Sequence, residues 1–312
     1  MKTRILNIGI IFCSAILFSA FITGCSKLKA GDTFTATTDG VEYQYEVIVS
    51  RMNYVRVVPV SGNLSGSIII PSAVSYEGDN FVVTQVGEKA FRDCAAITSV
   101  TLPKTLSIIE ASAFAGCVAL EKINTPQPLS VIGDYAFDGC VSLKEFSLVA
   151  SVSSLGKGCF RGCSALKTIE FPSSFTEIPD EAFYGCIGLE EIRCPASVMK
   201  IGKDAFGECV NAKEIYLDRS VQSIGSRAFA GCSEVASMTC LTATPPVCSA
   251  DTFERIPSDI PVTVMMSCVE NYRTAAGWNH FTNYRKPSYA GPSSSAFPTI
   301  RNWTKKATGI AR

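Results

Sequence analysis

Seven cysteines, Cys94, Cys117, Cys140, Cys163, Cys186, Cys209 and Cys232, follow one another at intervals of 23 residues without an insertion. Thiols in that number suit three chemistries: metal ligation, disulfide pairing and nucleophilic attack. Structural zinc takes paired ligands a few residues apart, whereas these are 23 apart and the sole histidine is His280. A Cys-His or Ser-His-Asp arrangement would have to be assembled around His280, beside Trp278 and Phe281, and no nucleophile elbow accompanies it. No glycine loop of the phosphate-cradling kind occurs either. The sequence therefore leads us to expect no enzyme, no metal and no cofactor. With 28 basic and 28 acidic side chains and no basic run interleaved with aromatics, it also gives no reason to expect nucleic acid as a partner.

Disulfides need separate weighing, because 14 cysteines in an exported chain favour them. Stacked strands lie about 4.8 Å apart, which puts neighbouring ladder cysteines within bridging range. Yet Cys159 occupies a column otherwise filled by alanine, and Cys194 and Cys240 occupy a leucine column. Cysteine is used here as a small hydrophobe, which favours buried thiols. Cys248 and Cys268 are the pair expected to bridge if any does.

The elements that position these cysteines follow from the same period. A phenylalanine stands three places before each one, at 91, 114, 137, 160, 183, 206 and 229. Alanines (Ala90, Ala113, Ala136, Ala182, Ala205, Ala228) precede the phenylalanines, and an aliphatic residue lies four places earlier still, at Val86, Ile109, Ile132, Leu155, Ile178, Ile201 and Ile224. Such a fixed period marks a solenoid. Within one turn, Leu166-Lys167-Thr168-Ile169-Glu170-Phe171-Pro172 ends in the apolar-polar alternation of a short strand, stopped by a proline that cannot extend a ladder. The stretch from the aliphatic residue to the cysteine has apolar spacings of four, one and three, which suits an inward-facing helical or 3₁₀ segment. The expected fold is an α/β solenoid of seven 23-residue turns, each a short parallel strand plus a helical or 3₁₀ segment, over residues 86–244. Glycine follows the aliphatic residue (Gly133, Gly156) and precedes the cysteine (Gly116, Gly139), places that suit tight turns.

These residues resemble the BspA-like leucine-rich repeat family of bacterial cell-surface proteins, whose turns read approximately Ile-Gly, Ala-Phe, Gly-Cys, Leu, Ile, Leu-Pro. Glu110 and Pro179 depart from the glycine, Val149, Asp218 and Leu241 from the proline, and Ala212 from the leucine. The flanks share the likeness more weakly, through Asp39 to Tyr43, Ile70-Pro71-Ser72, Tyr272, Gly277-Trp278 and Phe281. The resemblance implies adhesion to host matrix proteins, other bacteria or envelope components. A glycan-binding or enzyme-accessory role and a purely structural spacer are the rival readings.

The N-terminus sets the expected compartment. Lys2 and Arg4 precede an almost wholly apolar stretch from Ile5 to Phe21, and Ile22-Thr23-Gly24-Cys25 then resembles a bacterial lipobox, with cleavage leaving a diacylglyceryl Cys25 first. Residues 1–25 are thus expected to be a lipoprotein signal peptide. Ser26 resembles lipoproteins passed to the outer membrane, so a monomer tethered by lipid alone is expected there, on the cell surface or facing the periplasm. Residues 26–85, with alternating stretches such as Tyr43 to Val47, are read as a β-rich first cap, 245–284 as the closing cap and 285–312 as a disordered tail.

What remains for recognition is the outward side of the repeated strand. If Ile169 and Phe171 point inward, one exposed column holds Lys122, Glu145, Thr168, Glu191 and Glu214, and a second holds Glu170, Arg193 and Tyr216. Stacked repeats join such positions into one surface, and aromatic and arginine side chains are the usual anchors of interfaces. Arg193 and Tyr216 are the expected centre of a protein-binding face, with glycan as the other candidate partner.

Overall fold

The computed structural model describes residues 27–59 and 64–287. The signal stretch, Cys25 and the tail beyond Pro287 lie outside the described residues. The chain winds into a β-solenoid of about nine turns with 5% helix. This corrects the expected α/β solenoid of seven turns, while the leucine-rich repeat itself stands.

Strand is laid down on two faces of the solenoid. The first face carries Ser65–Ile69, Ala96–Thr101 and Lys122–Ile123, then after a gap Glu191–Cys194, Glu214–Leu217, Ser237–Cys240, Pro261–Val264 and Asn283–Arg285. The second carries Asp79–Val86, Ile108–Ile109, Val131–Ile132 and Ser154–Leu155, then a separate sheet of Glu177–Ile178, Lys200–Ile201 and Ser223–Ile224. Within the seven repeats, coil-to-coil pairing is parallel and steps by 23 residues, as in Ile192 opposite Ile215 and Ile178 opposite Ile201.

The third side, expected to be helical, is a run of tight turns. The residue two before each phenylalanine is left-handed throughout the seven repeats, from Lys89 at φ 58° through Gly158 at 57° to Arg227 at 58°. So is the residue two after it, among them Asp93 at 59°, Gly139 at 71° and Gly231 at 80°. A left-handed residue every four positions interrupts any right-handed helix. The amides instead divide their bonds. Phe114 donates to Ala136 in the next coil at 2.8 Å, while Cys117 closes a turn onto Phe114 at 3.1 Å. The result is a third ladder between coils, built from the same apolar spacing that a helix would show. Among the described residues, helix occurs only as Val269–Thr274 and three 3₁₀ turns, Ser50–Met52, Met266–Cys268 and Trp278–His280, all outside the repeats.

Inside, the phenylalanines form one spine. Phe91 and Phe114 stack at 5.2 Å, Phe114 and Phe137 at 5.4 Å, and the series runs on to Phe206 and Phe229 at 5.7 Å, with planes within 10°. An eighth ring, Phe253, continues it at 6.0 Å. It escaped the 23-residue count because its coil is one residue longer, as the pairing of Met238 with Val262 shows. Trp278 and Phe281 pack on Phe253 at 4.9 and 5.1 Å, and Tyr43 meets Phe91 edge-on at 6.4 Å at the other end.

Two kinds of glycine serve this stack differently. Gly139 sits at φ 71° with open space around a β-carbon, so it supplies backbone freedom. Gly133 has an ordinary φ, but a β-carbon there would lie 2.6 Å from the Ala111 nitrogen of the preceding coil. It is required by close approach.

At the ends, Thr33–Thr38, Val41–Val49 and Tyr54–Val58 form an antiparallel meander whose last strand pairs parallel with Asp79–Val86, merging it with the second face. Arg56 bridges Glu46 at 3.0 Å and Glu110 at 2.9 Å, which gives the departure at Glu110 a structural role. Pro261–Val264 and Asn283–Arg285 extend the first face, so Arg285, expected to open the tail, ends a strand paired with Thr263.

Candidate functional site

The exposed side of Glu191–Cys194, Glu214–Leu217 and Ser237–Cys240 is built by alternation. Ile192, Cys194, Ile215 and Leu217 point into the core with no exposure, which turns Glu191, Arg193, Glu214 and Tyr216 outward. Parallel register then sets Glu191 opposite Glu214 and Arg193 opposite Tyr216. The Arg193 guanidinium bonds Glu191 at 2.9 Å and Glu214 at 3.2 Å, and its central carbon lies 5.5 Å from the centre of the Tyr216 ring. Partial burial, with Asp218 adding to it, pushes the Tyr216 hydroxyl pKa up, while the Arg193 charge opposes the shift. These four residues form one cluster, two carboxylates and a ring around a cation, all half-exposed.

The other expected face residues are not brought into it. Lys122 stands exposed on Lys122–Ile123, at the edge of the separate three-stranded sheet. Glu145, Thr168 and Glu170 are exposed but lie in the gap between the two sheets, outside any strand. The continuous face that the two columns predicted is therefore two faces. Bulk accounts for the break. Phe146 replaces the aliphatic residue of its column and wedges between Phe137 and Phe160 at 5.1 and 4.8 Å, and Phe171 stands in the column of Cys194 and Leu217. The backbone bonds there stretch, Lys144 to Glu121 at 3.4 Å and Lys167 to Lys144 at 3.5 Å.

The ladder cysteines are free thiols. The six from Cys117 to Cys232 each donate to the phenylalanine carbonyl of the preceding coil, as Cys140 to Phe114 and Cys163 to Phe137, both at 3.2 Å. Cys248 and Cys268 are free as well, bonded to the carbonyls of Ala276 and Ala243 at 3.2 and 2.9 Å. No group of three or more His, Cys, Asp or Glu able to hold a metal occurs among the described residues. His280 places its Nε2 at 2.8 Å from the Ile256 carbonyl, half-buried against Phe281.

Sequence reasoning missed a polar groove of about 320 Å³ on the turn side, lined by Arg161, Glu181, Tyr184, Asp204 and Arg227. Its side chains lie in the stretches between the aliphatic residue and the cysteine, expected to be helical or 3₁₀ segments. Their charges are matched within the groove and its rim, Arg161 with Asp138 and Glu181, and Arg227 with Asp204 and Glu254.

A family model described as a BspA type leucine rich repeat region, in six copies, matches residues 84–211 and 154–255. The chain belongs to this family. The BspA-type repeat thus covers the whole cysteine ladder and the repeat strands of both faces from Ala96–Thr101 to Ser237–Cys240. Among solved structures, a leucine rich cell surface protein of Faecalibacterium prausnitzii is similar at 18% identity, over 82% of this chain and 96% of that one, with a TM-score of 0.51. That likeness shows a shared fold. A leucine rich repeat protein of T. pallidum aligns at 24% identity over 69% and 88% of the two chains, TM-score 0.48. A leucine-rich repeat protein of Bacteroides ovatus aligns at 19% over 84% and 77%, TM-score 0.48. No curated protein matches the chain.

Proposed function

We propose that this BspA-type repeat protein is a non-catalytic, lipid-anchored envelope protein that binds other proteins through its first sheet face. The observation that carries the reading is the cluster of Arg193, Tyr216, Glu191 and Glu214 on the outward side of a rigid parallel sheet. Side chains locked by neighbours lose little freedom on association, and an arginine against an aromatic ring is typical of interface anchors. The lipobox-like segment ending at Cys25 supports the anchor, and Ser26 supports the outer membrane. Display on the cell surface fits the similarity to the F. prausnitzii leucine rich cell surface protein. Adhesion to host matrix, other bacteria or envelope components is the role that follows.

A pull-down from matrix and envelope fractions with the lipid-free mature chain, repeated with Arg193→Ala/Tyr216→Ala, tests the face. Loss of the captured protein with an unchanged Tm supports it, and capture that survives both substitutions refutes it. A spacer role is favoured by one observation, the internal pairing of Arg193 with both glutamates; it predicts no saturable partner for the wild-type chain. Labelling with radioactive palmitate, lost on Cys25→Ala, tests the anchor, and protease shaving of intact cells distinguishes surface from periplasm.

A further inference from the structure

The coils of Phe160 and Phe183 are joined more weakly than any other neighbouring pair of repeats among the described residues. On the second face, Gly133, Gly156, Gly202 and Gly225 each donate to the coil before, to Ile109, Ile132, Ile178 and Ile201, at 2.7 to 2.8 Å. Pro179 occupies that column in the Phe183 coil and has no N–H to give Leu155. Ser154–Leu155 and Glu177–Ile178 accordingly end up in different sheets. On the first face, Thr168 to Phe171 make no strand pairing with Glu191–Cys194; one backbone bond, Glu190 to Lys167 at 3.2 Å, crosses, beside the exposed Lys167–Glu190 ion pair at 3.7 Å. Elsewhere in the repeats, where the first face fails, between Lys122–Ile123 and the next coils, the second face still pairs.

The turn side remains intact at this junction. Gly158, Phe160 and Gly162 donate across it to Asp180, Ala182 and Tyr184 at 2.9, 2.9 and 2.7 Å. Glu181 takes Lys157 at 3.0 Å and Arg161 at 3.7 Å, and the Phe160 and Phe183 rings stack at 5.5 Å. Two faces open and one side bonded is the geometry of a hinge.

We propose that the described solenoid consists of two blocks, 27–59 with 64–171 and 177–287, hinged along the turn side between the Phe160 and Phe183 coils. In a repeat array stability is a sum of neighbour terms, so a weak junction divides the array into two cooperative units. The hinge also divides the recognition side. Glu145, Thr168 and Glu170 ride on one block and the Arg193 cluster on the other, so bending changes the angle between them without altering either.

Hydrogen exchange across a urea series, read peptide by peptide on the full mature chain, tests this. Two unfolding midpoints are expected, with the boundary in residues 172–176. Pro179→Gly, which restores the family's residue and its N–H, lowers the opening constant of the junction about fivefold, the effect of one hydrogen bond, and draws the midpoints together. A single midpoint throughout, a boundary at another coil, or an unchanged separation in Pro179→Gly overturns the proposal.

Discussion

The Cys140 thiol donates to the Phe114 carbonyl at 3.2 Å, and that same carbonyl accepts the Cys117 amide at 3.1 Å. Six ladder thiols repeat this bond from one coil to the next. The thiol therefore acts as a small donor within an apolar stack, and its removal leaves no orphaned carbonyl. Cys140→Ala should cost about 1–2 kcal/mol, chiefly the contacts of the lost sulfur, read from urea unfolding. A loss above about 4 kcal/mol would mean that the thiol does more than pack and donate.

Thiol reactivity follows from burial. Burial pushes the Cys117 pKa up to about 12 and that of Cys248 to about 11, against an ordinary 9.0. Native protein at pH 8 should thus take up iodoacetamide slowly, first at the half-exposed Cys94 and Cys248, and at the ladder only after unfolding. Because the folded state keeps these groups protonated after the unfolded chain has begun to lose its protons, their stability contribution is full below about pH 9 and falls as pH rises toward 12. Urea midpoints measured from pH 8 to 11 should decline. A rising midpoint would show that the thiols are not neutral and buried.

Phe160 touches both neighbouring rings and Phe146 besides, at 5.3, 5.5 and 4.8 Å. Phe160→Ala should cost about 3–5 kcal/mol, and Phe160→Leu clearly less, since Leu refills most of the volume. Equal losses from the two variants would indicate that stacking geometry, not volume, dominates.

The two glycine columns should respond unequally. Gly139→Ala pays only for a left-handed backbone, about 1–2 kcal/mol, because its β-carbon meets nothing closer than 4.0 Å. Gly133→Ala drives a β-carbon to 2.6 Å from backbone and should lose more, by separating two coils. Thermal melts of the pair give the order directly, and the reverse order would contradict the coil spacing.

Arg56 ties the N-terminal meander to the first repeats through Glu46 and Glu110, with about a third of its side chain exposed. Arg56→Ala should cost about 1–2 kcal/mol, a value reduced for solvent screening. Exchange should rise in residues 33–58 and leave the coils around Phe206 unchanged.

Much of this molecule is legible in the residues. The spine is, because a phenylalanine every 23 residues has only one way to be buried repeatedly, and so is the inward-outward alternation that exposes Arg193 and Tyr216. The turn side was misread as helical because apolar spacings of four, one and three satisfy a helix and a chain of turns alike. Its left-handed positions include Lys89, Tyr135, Glu181 and Arg227, residues that give no sign of such a backbone. Phe253 hid behind a one-residue insertion. The gap in the first face follows from Phe146 and Phe171, whose bulk matters only once their neighbours are in place.

By itself the sequence determined that this chain coils, which columns face inward, and that its cysteines pack as small hydrophobes, since periodicity and side-chain size are local properties repeated many times. Only the tertiary structure decided that the third side is a ladder of turns, that Arg193 is held by Glu191 and Glu214, and that one junction lost both of its sheet faces. Those outcomes depend on which backbone groups meet across coils, and a hydrogen bond between residues 23 apart exists only when both coils are stacked in register.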